Sequence, residues 1–155
     1  NKVTFRPFVN SDMRQILAIE TANDHPWTGD EFDGILQGNV FFTVAEWGRH
    51  IVGFYLTEPV KWSLYILSFS VHPHCRRNKV GTAMINRLKD RVEDENKNRL
   101  VMEVAETNLG MQLFLKAMGF KWTKTIRDYF PFEPREDAFV MEWREPLDVE
   151  KLLAA

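Results

Sequence analysis

The chain carries 155 residues, 45% hydrophobic and 27% charged, including twelve Phe and five Trp. This supports one compact domain with an aromatic-rich core, leaves little room for a second, and excludes a disordered tail. Twenty basic side chains against 22 acidic ones give a formal charge of -2, without the basic excess of a general polyanion binder, so no nucleic-acid partner is expected.

Residues 3–8 are β-branched and aromatic and end near Pro7, which reads as a first or edge strand. Ser11 and Asp12 offer an N-cap to a helix whose stripe runs through Met13, Ile16, Leu17, Ile19 and Glu20 to about Ala22. Residues 23–26 form a loop, and a short second helix over 30–36 stops at Gly38-Asn39. Strands over 40–46 and 51–56 flank Trp47-Gly48-Arg49-His50, a hairpin signal, and a longer strand over 63–71 ends at Pro73. The basic loop 76–79 then runs into a clear helix. On it Val80, Met84, Ile85, Leu88 and Val92 repeat at helical spacing, with Arg87, Lys89, Arg91, Glu93 and Asp94 on the solvent side. Residues 100–104 make a short buried strand. Asn108 opens another helix, with Leu109, Leu113 and Ala117 on one face and Gly119 as its left-handed C-terminal residue. Strands over 121–130 and 138–144 complete the domain, expected to span residues 1–145, and a loosely helical tail covers 146–155. The order β-α-α-β-β-β-α-β-α-β-β predicts a mixed α+β fold around one central sheet.

Cys75 is the single cysteine, so no internal disulfide is possible and nothing demands an oxidising compartment. No apolar run approaches the ~20 residues that cross a bilayer, so no membrane partner is expected. The first thirty residues carry Lys2, Arg6, Asp12, Arg14 and Glu20, unlike a secretory signal. Cytoplasm is the expected location, and a monomer or homodimer the expected state. His72-Pro73-His74-Cys75 invites a metal reading, but alternating residues at a strand end point to different faces and no second ligand cluster accompanies them, so no metal is expected.

The segment 64–83 is the most informative. A strand feeds Arg76-Arg77-Asn78-Lys79, with Gly81 at the start of a helix. Free backbone N–H groups and the positive end of a helix dipole then face an anion, for which a pyrophosphate is the natural guest. A solvated basic loop capped by glycine is the plainer alternative, since a single glycine is weak evidence.

At this point the chain resembles the GNAT superfamily of N-acetyltransferases, whose coenzyme A loop reads R/Q-x-x-G-x-G/A; residues Arg76 through Gly81 occupy it here. Pro26-Trp27 with Phe32 is similar to the P-W-x-x-x-x-F segment of RimI-type members. Met102-Glu103-Val104 followed by Asn108 is similar to their L-E-V-x-x-x-N segment. Residues 114–120, ending in Gly119-Phe120, resemble their helix that ends in G-F. Arg127-Asp128-Tyr129-Phe130-Pro131 and Glu136-Asp137-Ala138 with Met141 match the C-terminal R-x-Y-Y-P and E-D-A-x-x-M pieces. The matches span nearly the whole chain in order.

The resemblance implies a GNAT fold, a mixed and mostly antiparallel sheet of about seven strands flanked by about four helices. It also implies an acetyl-CoA-dependent enzyme acting on a primary amine. RimI-type proteins acetylate the N-terminal α-amine of a ribosomal protein, so a protein or peptide N-terminus is the leading acceptor. A lysine side chain, a small-molecule amine, or a weakened acetyl-CoA-binding module are the alternatives.

By the same resemblance Glu103 is the general base, with Glu106 as the substitute. An α-amine titrates near ~8 and needs only a weak base, whereas a lysine amine near ~10.4 needs more help. Phe69, Ser70 and Val71 line the acetyl and pantetheine arm through backbone groups, with the Val71 N–H as the oxyanion donor. Arg76, Arg77, Asn78, Lys79, Val80, Gly81 and Thr82 cradle the pyrophosphate, and Asn108 either hydrogen-bonds the cofactor, caps its helix, or both. Tyr129 and Glu136 line the acceptor pocket, while Trp27 reads as loop packing.

Two departures stand out. Lys79 occupies the family's first loop glycine. Either that position needs a positive φ, costing roughly 1–2 kcal/mol for a side chain, or the loop accepts a right-handed residue there. Leu115 occupies the place of the tyrosine that protonates departing coenzyme A, and leucine has no proton to give. A thiol near pKa ~8.5 leaves tolerably as a thiolate, and Tyr129 or Tyr65 are the candidates to compensate.

Overall fold

The computed structural model describes residues 2–23, 25–76, 79–131 and 133–154. The chain opens with β1 (Val3–Pro7), a 3-10 turn at Asn10–Asp12, α1 (Met13–Glu20) and α2 (Gly29–Leu36). Then come β2 (Phe41–Trp47), β3 (His50–Val60), β4 (Ser63–Val71), a second 3-10 turn at Pro73–Cys75, and α3 (Val80–Asp94). The remainder is β5 (Arg99–Ala105), α4 (Leu109–Ala117), β6 (Lys121–Phe130), β7 (Glu136–Arg144) and α5 (Val149–Ala154). The strands form a seven-stranded sheet in the order β1-β2-β3-β4-β5-β7-β6. All neighbours are antiparallel except β4 and β5, which run parallel. A parallel pair cannot be closed by a hairpin, and α3 supplies the crossover. The α+β expectation holds, with five helices rather than four because the tail forms the six-residue α5. Among the described residues no helix is long and apolar enough to cross a membrane.

Two apolar layers hold the sheet. On one face Val80, Met84, Ile85, Leu88 and Val92 of α3, the predicted stripe, meet Ala45, Tyr55, Leu64, Ile66, Phe69, Leu100 and Val104. On the other face Ile16, Ile19 and Phe32 of α1 and α2 meet Phe42, Val44, Phe54 and Leu56. Alternation along each strand produces this division, since successive side chains point to opposite faces. Gly53 lets α3 come close: a Cβ there would lie 2.8 Å from Met84 Sδ and 2.9 Å from the Ser70 carbonyl oxygen.

Three details differ from the sequence reading. Asp12 does not cap α1 with its side chain. Its carboxylate is buried, accepting from Arg6 Nη1 and Nη2 and from the Val9 N–H, each at 2.8 Å. A charged partner across the first strand outcompetes a helix terminus. β3 continues past Leu56 to Val60, because β4 pairs with it along that whole length. On α4, Leu109 and Leu113 face solvent, while Leu115 is fully buried with Met111, Phe114 and Met118 packed beside it. Both stripes fit a helical period. The Gln112 amide, donating to the Ala105 and Glu106 carbonyls, and Asn108, accepting from the Met111 N–H, set the rotation that buries the second stripe.

The Arg6 guanidinium holds the Asp12 carboxyl below its usual range. A depressed carboxyl contributes stability present above its unfolded value of 3.8 and lost as pH falls through the folded one. Asp12→Ala is therefore expected to cost about 2 kcal/mol at pH 7, a figure below the fully buried range because Arg6 keeps solvent contact. Chemical denaturation should show the gap between parent and variant closing below about pH 4.

Candidate active site

β4 and β5 pair only at Ser63↔Arg99, Leu64↔Leu100, Tyr65↔Val101 and Ile66↔Met102. Where pairing ends, β4 carries a bulge: Thr57 faces Ile66 but Leu56 faces Ser68, leaving Leu67 as the extra residue. A bulge bends and twists its strand. Beyond it residues 68–71 keep β3 alone, and Glu103–Val104–Ala105 of β5 keep β7 alone. The sheet opens into a wedge whose two edges present backbone N–H and C=O groups with no strand between them. Such groups require partners. An extended chain bearing amide groups, as in a pantetheine arm, fits that requirement.

At the end of β4 the chain turns through Pro73–Cys75 into α3. Arg76 is exposed and extended (φ -64°, ψ 147°). Lys79 is left-handed, with φ 62° and ψ 17°, and its side chain does not cap α3. The right-handed alternative for Lys79 is thereby excluded: the position has the conformation a glycine would favour, and a lysine holds it. The first helical bond is from the Ala83 N–H to the Lys79 carbonyl, so the N–H groups of Val80, Gly81 and Thr82 have no helical acceptor and sit at the positive end of a fifteen-residue dipole. The Val80 side chain itself belongs to the core; only its backbone is available. A Cβ on Gly81 would meet Phe114 Cζ at 3.2 Å and Val71 Cγ2 at 3.7 Å, so glycine keeps this corner of the wedge clear. Arg77 and Asn78 lie outside the described residues. The loop and the wedge together suit a diphosphate joined to an extended arm.

On β5, Leu100, Met102 and Val104 belong to the α3–α4 layer. Glu103 therefore points to the opposite face, the side of α1 and α2. There it comes beside Tyr129 of β6. The carboxylate as hydrogen-bond acceptor for the phenol, and then burial, pushes the Tyr129 phenol up to about 12. A carboxylate here can accept a proton, and the phenol beside it stays protonated as a donor at physiological pH. The sequence alone did not join these two residues. They are 26 positions apart and meet because β7, paired with both β5 and β6, holds those two strands one strand apart in the same sheet.

The remaining expected residues fall as follows. Phe69 turns its ring toward Phe114 (centroids 6.0 Å apart) and Ser70 turns to the α1–α2 face. Asn108 caps α4 by accepting from the Met111 N–H at 3.1 Å. Glu136 starts β7 and accepts from the Thr107 hydroxyl. Glu106 is engaged too, its carboxylate accepting from the Asp137 N–H at 3.0 Å. Tyr65 lies in the paired part of β4, opposite Val101 and Glu58. Leu115 is fully buried in the α3–α4 layer. A separate cavity of about 500 Å³, lined by Gln15, Trp47, His50, Val52, His72 and Cys75, lies behind the 3-10 turn and contains none of the wedge carboxylates. Sequence reading missed Glu20, a carboxylate buried at the end of α1 beside Ser70. Its signal was an acidic residue standing in an otherwise apolar helical stripe.

Fold and wedge together define an acyl-CoA-dependent acyltransferase. The acetyltransferase (GNAT) family model matches residues 10–120, and the chain belongs to that family. It is 31% identical over 106 residues to an uncharacterized N-acetyltransferase of Methanocaldococcus jannaschii, covering 68% of this chain and 67% of that protein. It is 26% identical over 125 residues to the [ribosomal protein bS18]-alanine N-acetyltransferase of Escherichia coli, covering 79% and 83%. The crystal structure of that E. coli enzyme superposes with a TM-score of 0.83 at 21% identity over 95% of this chain and 96% of that one. A GNAT family acetyltransferase from Elizabethkingia anophelis with acetyl-CoA bound gives 0.77 at 14% identity over 94% and 99%. The protein is an acetyl-CoA-dependent N-acetyltransferase.

Two measurements check this geometry. Lys79→Gly relieves a left-handed side chain and is expected to stabilise the fold by about 0.5–1 kcal/mol after the glycine's own unfolded-state entropy is subtracted; a lower denaturation midpoint would show that the lysine is held there by favourable contacts. For Tyr129 the folded proton is bound more tightly than the unfolded one at 10.0, so the pair's stabilisation is full below pH 10 and is lost as pH rises through about 12. Tyrosinate absorbance of the parent minus Tyr129→Phe should show no ionisation below about pH 11.

Proposed function

We propose that this enzyme transfers acetyl from acetyl-CoA to the N-terminal α-amine of a protein or peptide, with Glu103 as general base. The carrying observation is the Glu103–Tyr129 pair, which sits on the α1–α2 side of the wedge, away from α3 and its positive terminus. Cofactor and acceptor then approach from opposite faces and meet between β4 and β5. When bound, acetyl-CoA supplies an activated acyl thioester. Phe69, Ser70 and Val71 would hold its arm by backbone groups, and the Val71 N–H would stabilise the negative charge that develops on the attacked carbonyl. Arg76 to Thr82 hold its diphosphate, and Asn108 adds a contact while capping α4. Glu103 takes the proton of the attacking amine; Tyr129 spends its one O–H orienting that carboxylate, and its phenol oxygen is left to accept from the acceptor's backbone N–H. Glu136 borders the acceptor mouth next to Tyr129, steadied by Thr107.

The acceptor reading rests on the state of the nearby carboxylates. A polyamine site needs several free anions. Here Glu106 accepts from the Asp137 N–H, Asp137 accepts from the Asp128 N–H with Arg127 nearby, and Glu136 accepts from the Thr107 hydroxyl, so this chain's own donors already orient each of them. Among these four carboxylates Glu103 is the one with a phenol beside it on the wedge, which suits a single amine on a peptide. The kinship to an enzyme named for a ribosomal-protein alanine supports the same choice. An α-amine near ~8 is partly neutral at pH 7, so one weak base suffices. With Leu115 in the core, the thiol near ~8.5 leaves as thiolate without a dedicated acid. Such chemistry belongs in the cytoplasm, where acetyl-CoA and nascent chains coexist.

The test is thiol release from acetyl-CoA with short peptides beginning with Ala, Ser or Met. Peptide-dependent release is expected, and Glu103→Gln should lower kcat about 10²–10³-fold with the acetyl-CoA Kd unchanged. Release that ignores the peptide, or a Glu103→Gln enzyme of parental kcat, would refute the assignment.

A further inference from the structure

Glu20 is 3% exposed, yet it carries a carboxylate. Burial raises its proton affinity, and a group so placed is costly unless its oxygens are satisfied. They are. Oε2 accepts from the Trp27 N–H at 2.9 Å and Oε1 from Asn23 Nδ2 at 3.0 Å. Asn23 Nδ2 also donates to Ser70 Oγ at 3.2 Å, which brings β4 into the same cluster. One buried carboxylate thus ties three places together: the end of α1, the start of the P-W segment at Trp27, and β4 at the wedge. Trp27 is locked in turn against Phe32 of α2, with ring centroids 5.1 Å apart.

The faces make this tie functional. Ser70 turns to the α1–α2 side, the same side to which alternation sends Glu103. The connection between α1 and α2 is therefore fastened to the wall of the wedge on the side from which the acceptor comes. A cheaper way to seat a loop on a sheet is apolar packing, and Phe32, Ile16 and Ile19 already provide it. A charged side chain held at this cost fixes backbone direction instead, since it receives a main-chain N–H and a side-chain amide at defined positions.

We propose that Glu20 is a positioning residue for the acceptor: by gripping the Trp27 N–H and the Asn23 amide, it holds the α1–α2 connection against Ser70 as one wall of the amine-binding mouth. This rests on the acetyl-transfer reading above. Glu20 holds that wall in place; it does not exchange protons with the substrate.

Two variants separate the roles. Glu20→Met matches the volume, removes the buried charge and releases both donors. Glu20→Gln can be satisfied again: its amide oxygen accepts from the Trp27 N–H, and a flip of the Asn23 amide presents Oδ1 to the new NH₂ while the Ser70 hydroxyl rotates to donate. In Glu20→Met, amide exchange across residues 21–28 and the peptide KM should each rise about tenfold, with thermal midpoint, kcat and acetyl-CoA Kd near parental values. Glu20→Gln should recover most of both effects. The proposal is overturned if Glu20→Met leaves exchange at 21–28 unchanged, or loosens it without raising the peptide KM. It is overturned equally if Glu20→Gln loses kcat as Glu103→Gln does, which would make Glu20 a base, or if acetyl-CoA Kd weakens along with KM, which would make its role general stability. A parent enzyme that binds acetyl-CoA but acetylates no peptide would refute the acceptor assignment, and amide exchange alone then decides whether the tie exists.

Discussion

The end of the β4–β5 pairing after Ile66 and Met102 is the constraint on which the rest of this molecule turns. Parallel strands held together along their whole length would leave no opening in the sheet. Here four residue pairs join them, the extra residue Leu67 bends β4 away, and each strand keeps only its outer neighbour. The backbone groups so released are the ones an extended cofactor arm needs. The same divergence points α3, which must follow β4, with its N-terminus at the mouth of the opening. The exposed helix terminus, the open backbone edges and the placement of the Glu103 carboxylate, on which the proposed function draws, all come from one interruption of a hydrogen-bond ladder.

The two carboxylates near the opening show how environment divides labour. Glu103 stands half-buried with one phenol beside it, and keeps capacity for an incoming proton. Glu20 is buried and every oxygen is occupied, so it has none to spare. The same functional group is suited to proton transfer in one place and to holding a loop in the other, and the difference is solvent and partners rather than chemistry. Leu115 shows the complementary point. Leu115, where the resemblance led to the expectation of a phenol, is a fully packed core leucine, and the phenol beside Glu103 comes from β6 instead.

Much of the architecture was legible because periodicity reports it directly. The α3 stripe and the β4 limits appear in the fold as the pattern implied, and Asn108 caps α4 in the way a short polar side chain before an apolar run suggests. Reading failed where two local solutions were equally good. Asp12 could cap a helix or pair with Arg6, and the distant guanidinium won. Either apolar stripe of α4 could face inward, and the Gln112 amide together with the Asn108 cap decided the rotation. Glu20 sat in plain view within a helical stripe, but a lone acidic residue there has no meaning until its donors, three and seven residues on, are known to fold back to it.

What the sequence settled by itself is the order of elements, the two-faced sheet and the basic loop before a helix, because local propensity and side-chain alternation need only neighbours in the chain. What tertiary structure alone decided is the left-handed turn at Lys79, the meeting of Glu103 with Tyr129 and the closure of Glu20 over Asn23, Trp27 and Ser70. Each of these depends on strands that become neighbours only when the sheet forms, or on a backbone angle that the packing of α3 imposes against its own residue preference, and neither is written in the spacing of residues.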